Sequence, residues 1–305
     1  QKCSHQINSD FKRACIHYYQ ARFAGVGCNL RKAWNSARLL IGKTKDSLPT
    51  TLTIDGVEFT EASLADKLNN FLISGATGQA GDTTNDCEQY IPSPCTKSIF
   101  LTPCSEQEIV RYLKSLNNNT AAGYDNIKAG PIKHVAELLC GPLQHICHQA
   151  FATATFPEGM KIPKVVVIHK GGSHNDLNNY RPISVLPLFS KVLEYTLQSR
   201  IMRFLGNHQM LSRQQFCFRE MKLTEMALLN IKEKLVTNID NKQYILGLFL
   251  DFKKAFDSIK HPILFRKLPL YGVRCLVLNL ICSYLSDRMQ FTSLNGYRSQ
   301  SQPIK

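Results

Sequence analysis

The sequence predicts a mixed α/β fold, and two observations carry that prediction. Apolar residues recur at helical spacing over long stretches, as in Val192, Leu193, Thr196, Leu197 and Ile201. Between such stretches lie short apolar runs and Asp-Gly or Asn-Gly pairs, which read as strands and two-residue hairpins. The run Ile245–Leu250, closed by Asp251, is expected to be a buried strand of about six or seven residues. A carboxylate at the end of such a strand is costly to bury alone. It either stands exposed there or holds a metal ion.

Composition narrows the class. A chain of 305 residues makes one large or two medium domains. With 44% hydrophobic residues it can bury a sizeable core, which excludes wholesale disorder. Lys and Arg number 37 against 23 Asp and Glu, a formal charge of +14. Such an excess suits a polyanionic partner, nucleic acid before membrane. The 11 cysteines include no C-x-x-C pair, so they read as reduced thiols of an intracellular protein. No apolar run approaches the roughly 18–20 residues of a membrane span, and no signal-peptide pattern opens the chain.

Residues 1–50 read as helical and basic. Phe11, Cys15, Tyr18 and Tyr19, then Ala33, Ala37 and Leu40, fall at helical spacings. Cys3, His5, Cys15 and His17 do not match a zinc-site spacing. Asp55-Gly56 predicts a hairpin over Leu52–Phe59, and Thr60 is expected to cap a helix with Leu64, Leu68, Phe71 and Leu72 on one stripe. The Gly-, Thr-, Ser- and Pro-rich stretch 74–98 reads as a linker.

Ser105-Glu106-Gln107-Glu108 is a capping box, opening a helix with Ile109, Leu113 and Leu116 inward. A helix from about Pro131 to Thr153 is expected to break at Gly141-Pro142. On it, His145, Cys147 and His148 near Cys140 read as core thiols and surface histidines. Lys164–His169 is a strand candidate. A helix over about Phe189–Phe204 should turn Lys191, Arg200 and Arg203 outward, and others cover about Thr224–Asn238 and the stretch from about Pro262. Leu276, Val277, Leu280, Ile281, Tyr284 and Leu285 form an apolar stripe, and Asn295-Gly296 predicts a last hairpin.

Three features carry chemistry in combination. Lys170-Gly171-Gly172 is a turn whose amides can approach a phosphate beside a lysine. Arg181 can fork onto a phosphate or stack on a base. Asp251 is followed five residues on by the aromatic Phe256. Taken singly, each has a plainer explanation: a hairpin loop, a surface arginine, a solvated carboxylate, a core ring. Their order is what nucleotidyl transfer needs, with one part neutralising a triphosphate and another holding divalent metal.

Ile168–Glu194 (IHKGGSHNDLNNYRPISVLPLFSKVLE) closely resembles the fingers region of reverse transcriptases from non-LTR (LINE-type) retrotransposons. Phe249–His261 (FLDFKKAFDSIKH) resembles that family's first catalytic strand and helix. Supporting stretches are AAGYDNI at 121–127, FPEGMK at 156–161, SYLSDRMQF at 283–291 and LNG at 294–296. The wording YRPISVLP favours this family over group II intron maturases. Phe256, where RNA-dependent RNA polymerases usually carry Asp, argues against those enzymes.

The resemblance implies an incomplete right-hand polymerase: fingers plus the first half of the palm. Residues 1–100 would be a spacer with the linker 74–98, 101–150 a helical lead-in, and 151–305 the polymerase domain. It implies RNA-directed DNA synthesis with Mg²⁺ (or Mn²⁺), template RNA, primer or target DNA and deoxynucleoside triphosphates. It also implies no membrane partner, and a ribonucleoprotein of nucleus and cytoplasm. Asp251 would be the catalytic, metal-binding aspartate. Lys170 and Arg181 would contact the triphosphate, and Phe256 would be the gate against a ribose 2′-hydroxyl. Asp257 reads as a helix-start carboxylate. The later motifs, a G-x-P-Q-G turn and paired aspartates, are not in this sequence. The chain alone is therefore expected not to polymerise, and a non-catalytic nucleic-acid-binding remnant is the alternative. Cys217 stands where the family's Q-x-G-F-R has glycine, and Met221 and Leu223 stand at the following Gly and Ser positions. A side chain at a φ-positive site there would be strained.

Overall fold

A computed structural model describes residues 2–25, 27, 32–34, 36, 37, 49–54, 56–77, 94–252, 255, 256 and 258–304. The chain divides into two compact units, Gln1–Thr50 and Thr51–Lys305. In the first, α1 runs over Lys2–Ala24. Phe11 and Tyr18 on it are exposed, and Cys15 and Tyr19 only partly covered. Arg22 donates to the Tyr18 hydroxyl (2.9 Å) and the Ser36 hydroxyl (3.2 Å). Leu40 lies outside the described residues.

The second unit opens with a hairpin, β1 (Thr51–Ile54) and β2 (Val57–Thr60), with Leu52 opposite Phe59. The two-residue loop puts Gly56 at φ +78°, as the Asp-Gly pair predicts. Then α2 covers Glu61–Thr77, with Leu64 and Leu68 fully buried. The Ser63 side chain, not that of Thr60, closes the first turn: the Thr60 amide donates to it (3.0 Å) and it donates to the Thr60 carbonyl (2.6 Å). Of the stretch 74–98, residues 74–77 belong to α2 and residues 78–93 lie outside the described residues. At its end, the Cys95 amide bonds to the Leu270 carbonyl (2.7 Å).

The helical core comes next. α3 (Glu106–Ser115) starts as its capping box predicts, the Ser105 hydroxyl accepting from the Glu108 amide at 3.2 Å. Ile109 and Leu113 are fully buried. α4 (Ala129–His134) and α5 (Ala136–Thr153) divide at Val135, not at Gly141-Pro142. Pro142 sits inside α5, where it removes one backbone donor while Leu143 and Cys147 on the same helix are buried in the core. Packing of that face holds the helix together across the proline.

β3 (Lys164–His169) and β4 (Tyr180–Val185) pair antiparallel, with Ile168 opposite Arg181. α6 (Leu188–Asn207) follows, and Val192, Leu193, Thr196 and Leu197 are buried as the stripe predicts. Arg200, expected outward, is instead buried and bonded to Glu108 on α3. α7 (Thr224–Asp240) forms as predicted, yet none of its residues is buried.

The run Ile245–Leu250 corrects the clearest expectation from sequence. It forms no strand and is exposed, Leu246 at 96% and Phe249 at 86%. A strand needs neighbours for its amides and carbonyls and cover for two apolar faces. Among the described residues no strand pairs with this run.

α8 (His261–Lys267) and α9 (Cys275–Leu285) close the helical core, with Val277 and Leu280 buried and Leu276 exposed. β5 (Met289–Leu294) and β6 (Tyr297–Arg298) form the predicted hairpin through Asn295 (φ +48°) and Gly296 (φ +92°). β7 (Gln302–Pro303) pairs antiparallel with β5. The sheet order is β4-β3-β5-β6, with β3 and β5 parallel and the other pairs antiparallel. The mixed α/β class is as the sequence predicts.

Of the two glycine positions, Met221 has the positive φ expected there, while Cys217 does not and its neighbour Phe218 does. Phe218 has φ +58° and Met221 φ +61°. Met221 is exposed and loses little packing on truncation. Met221→Gly should therefore raise stability by about 0.5–1 kcal/mol, the left-handed penalty of about 1–2 kcal/mol less the backbone entropy of glycine. Urea unfolding of the two proteins checks this; a loss of stability would place residue 221 at negative φ in solution.

Candidate nucleotide cleft

Three of the four residues singled out from sequence meet around one cleft. Lys170, Arg181 and Phe256 line a cavity of about 470 Å³ together with Phe71, Leu72, Asn178, Tyr180, Pro182 and Ala255. The β3–β4 connection places the first two. Lys170 continues the ladder, its amide bonding to the Asn179 carbonyl at 2.7 Å. Gly171 and Gly172 then turn the chain at φ +114° and +88°. A Cβ on Gly172 would lie 2.8 Å from the side-chain Nδ2 of Asn179, which could shift, so it is the positive φ that calls for glycine in this turn. The Lys170 ammonium donates to the Asn178 carbonyl at 3.3 Å, and the Asp176 carboxylate accepts from the Asn178 amide at 2.9 Å.

Behind this loop the Tyr180 hydroxyl donates to the His174 carbonyl (2.9 Å), and the His169 and His174 rings stack at 3.9 Å. Burial pushes the Tyr180 phenol up. Arg181, one residue on, is exposed and has no ion-pair partner among the described residues. Its charge is available to a bound anion. Phe256 is also exposed, and its ring meets that of Phe218 edge-on at 6.1 Å.

A neighbouring cavity, also about 470 Å³, shares Leu72, Pro182 and Phe256 with the first and extends it toward Lys191, Glu194, His261, Tyr284 and Arg288. The Tyr284 hydroxyl donates to Glu194 Oε1, tying α9 to α6. Burial pushes the Glu194 carboxyl above the usual carboxylate range, against the pull of Tyr284, Arg288 and Lys191. Burial, then the neighbouring Glu194, push the Tyr284 phenol up. The Arg288 guanidinium lies 5.0 Å from the Tyr284 ring centroid. Sequence reasoning missed this cluster. The available sign was a carboxylate at position 194, set among the apolar stripe residues 192, 193, 196 and 197 of α6.

Asp251 is exposed and lines neither cavity. Asp257 lies outside the described residues. Among the described residues no group of three or more His, Cys, Asp or Glu side chains is placed to hold a metal ion. The described residues do not by themselves fit the ions that two-metal chemistry needs, because such sites gather several oxygen ligands. Cys147 and His148 serve the core: Cys147 accepts from the Thr196 hydroxyl at 3.9 Å, and His148 Nε2 lies 2.9 Å from the Cys104 carbonyl. No helix among the described residues is long and apolar enough to cross a membrane.

Residues 168–304 match the family described as reverse transcriptase (RNA-dependent DNA polymerase), whose chemistry uses divalent metal ions. The chain is 27% identical over 219 residues to the RNA-directed DNA polymerase from mobile element jockey of Drosophila melanogaster, covering 71% of this chain and 24% of that protein. It is 28% identical over 214 residues to the probable RNA-directed DNA polymerase from transposon BS of the same species, covering 66% and 23%. To the putative 115 kDa protein in type-1 retrotransposable element R1DM, also from that species, it is 30% identical over 183 residues, covering 59% and 17%. The chain spans about a quarter of the length of the first two of these relatives. The fingers and palm motifs lie in order along the matched region, so residues 168–304 are similar to reverse transcriptases, and the relatives matched are those of non-LTR, LINE-type elements.

Proposed function

We propose that this chain supplies the nucleotide-binding fingers and the first part of the palm of an RNA-directed DNA polymerase. The observation that carries this is the meeting of Lys170, Arg181 and Phe256, from separate sequence motifs, around one cleft. The two cations match a triphosphate, since charge-assisted bonds to phosphate are the strong ones. Phe256 at the same cleft suits a gate, because a 2′-hydroxyl would meet its ring. The +14 charge fits template RNA and primer or target DNA as further partners. Mg²⁺, with Mn²⁺ as its substitute, and the catalytic role of Asp251 belong to the complete enzyme. The part proposed for the described residues of the cleft is to bind and select the nucleotide.

Titration of the 305-residue chain with a fluorescent deoxynucleoside triphosphate tests this. Lys170→Ala combined with Arg181→Ala should weaken binding by about tenfold or more, the scale of lost charged hydrogen bonds. Phe256→Val should bring ribonucleotide and deoxynucleotide affinities together. Affinities indifferent to both changes would remove the proposal.

A further inference from the structure

We infer that α2, a helix outside the residues matched by the family, is one wall of the nucleotide cleft, and that Phe71 and Leu72 form the apolar surface for the base and sugar. This deepens the reading of the cleft as a nucleotide site and rests on it. Phe71 and Leu72 line the same cavity as Lys170, Arg181 and Phe256. Leu72 also lines the adjoining cavity beside Glu194.

The placement of α2 is built, not incidental. Asn69 is fully buried, an unusual position for an amide. Its Oδ1 accepts from Gln290 Nε2 (3.1 Å) and the Thr292 hydroxyl (3.2 Å), and its Nδ2 donates to the Gln300 carbonyl (3.1 Å). Asp66 Oδ1 accepts from the Gln300 amide at 2.7 Å. These bonds lock the helix to β5 and the segment after β6, and Leu64 and Leu68 are fully buried on it. Phe71 and Leu72 come three and four residues after Leu68, on the same side one turn later. They therefore reach the cleft on a helix that cannot roll.

The chemistry of the cleft is divided accordingly. Lys170 and Arg181 supply positive charge, while Phe71, Leu72, Pro182 and Phe256 supply apolar surface. A ligand with a polyanionic end and a flat, partly apolar end suits this division, and a deoxynucleoside triphosphate is such a ligand. Its volume falls in the range of small-molecule clefts. α2 thus adds Phe71 and Leu72 to the apolar surface that Pro182 and Phe256 of the matched region supply.

The test uses the full chain and an azido-purine deoxynucleoside triphosphate. Irradiation should label the tryptic peptide Leu68–Lys97, and unlabelled deoxynucleotide should compete the label away. Phe71→Ala should weaken nucleotide binding by roughly tenfold, the scale of one aromatic–base contact, and Phe71→Leu by less. The Leu variant and the labelled peptide decide the matter if the Ala variant does not fold. Label confined to other peptides, with Phe71→Leu and Phe71→Ala binding as the parent does, would overturn the role of α2. In that case the loss seen with Lys170→Ala and Arg181→Ala would leave the cleft itself standing. A parent chain with no saturable nucleotide binding would remove both.

Discussion

Arg200→Ala should cost roughly 3–5 kcal/mol of stability, the scale of breaking a buried ion pair from one side. The guanidinium is buried between α6 and α3. It is bidentate to Glu108, at 2.5 and 2.8 Å, and donates to the Thr102, Pro103 and Thr196 carbonyls at 3.0–3.1 Å. Alanine would leave the partly buried Glu108 carboxylate and the Thr102 and Pro103 carbonyls without their donor. Urea unfolding of parent and variant measures the loss. Arg200→Met with Glu108→Leu should recover much of it, because apolar groups of similar volume leave no unpaired charge. A single-variant loss below about 1 kcal/mol would mean that the pair is hydrated in solution.

The same pair sets a pH dependence. The Arg200 hydrogen bonds hold the Glu108 carboxyl below the usual carboxylate range. Its contribution is therefore full above the ordinary carboxylate pKa and is lost as pH falls through the lower, folded value. The gap between parent and Arg200→Ala should be widest at neutral pH and narrow in acid.

Gly272→Ala should cost about 2–5 kcal/mol. Gly272 has φ +83°, where a Cβ adds roughly 1–2 kcal/mol of strain. That Cβ would also lie 2.5 Å from the Lys97 carbonyl oxygen and 2.8 Å from the Phe204 ring. Overpacking of this kind adds about 1–3 kcal/mol. The carbonyl cannot step aside, because its segment is anchored: the Ile99 amide bonds to Gly272 O (3.0 Å), and Arg274 binds the Cys95 and Lys97 carbonyls. Gly296, at φ +92° with open space around it, is the control, and its Ala variant should carry the strain alone. Unfolding midpoints and proteolysis near residue 97 distinguish the two. Equal losses for both variants would show that residues 95–99 do not pack against Gly272 in solution.

Several features of the fold were legible because they are decided within a few residues. Asp55-Gly56 and Asn295-Gly296 set their hairpins, Ser105 set the start of α3, and the stripe 192–201 set the inward face of α6. Arg200 was misjudged because its partner, Glu108, lies 92 residues away and nothing near it in sequence marks the pairing. Pro142 was misjudged in the opposite sense: a local rule for breaking helices yielded to the burial of Leu143 and Cys147.

The sequence by itself determined the mixed class and the family resemblance, and singled out Lys170, Arg181 and Phe256 as candidates, because these depend on residue type, order and short spacing. Tertiary structure alone decided which side chains share the cleft. It brought in Phe71 and Leu72 through Asn69, whose partners Gln290 and Thr292 are more than 200 residues distant. It placed the carboxyl of Glu194 against Tyr284. It left the apolar run before Asp251 exposed, although its composition suits a buried strand. Local chemistry can set a turn or a cap, but a strand or a buried amide exists only where distant residues complete its hydrogen bonds and cover its surface.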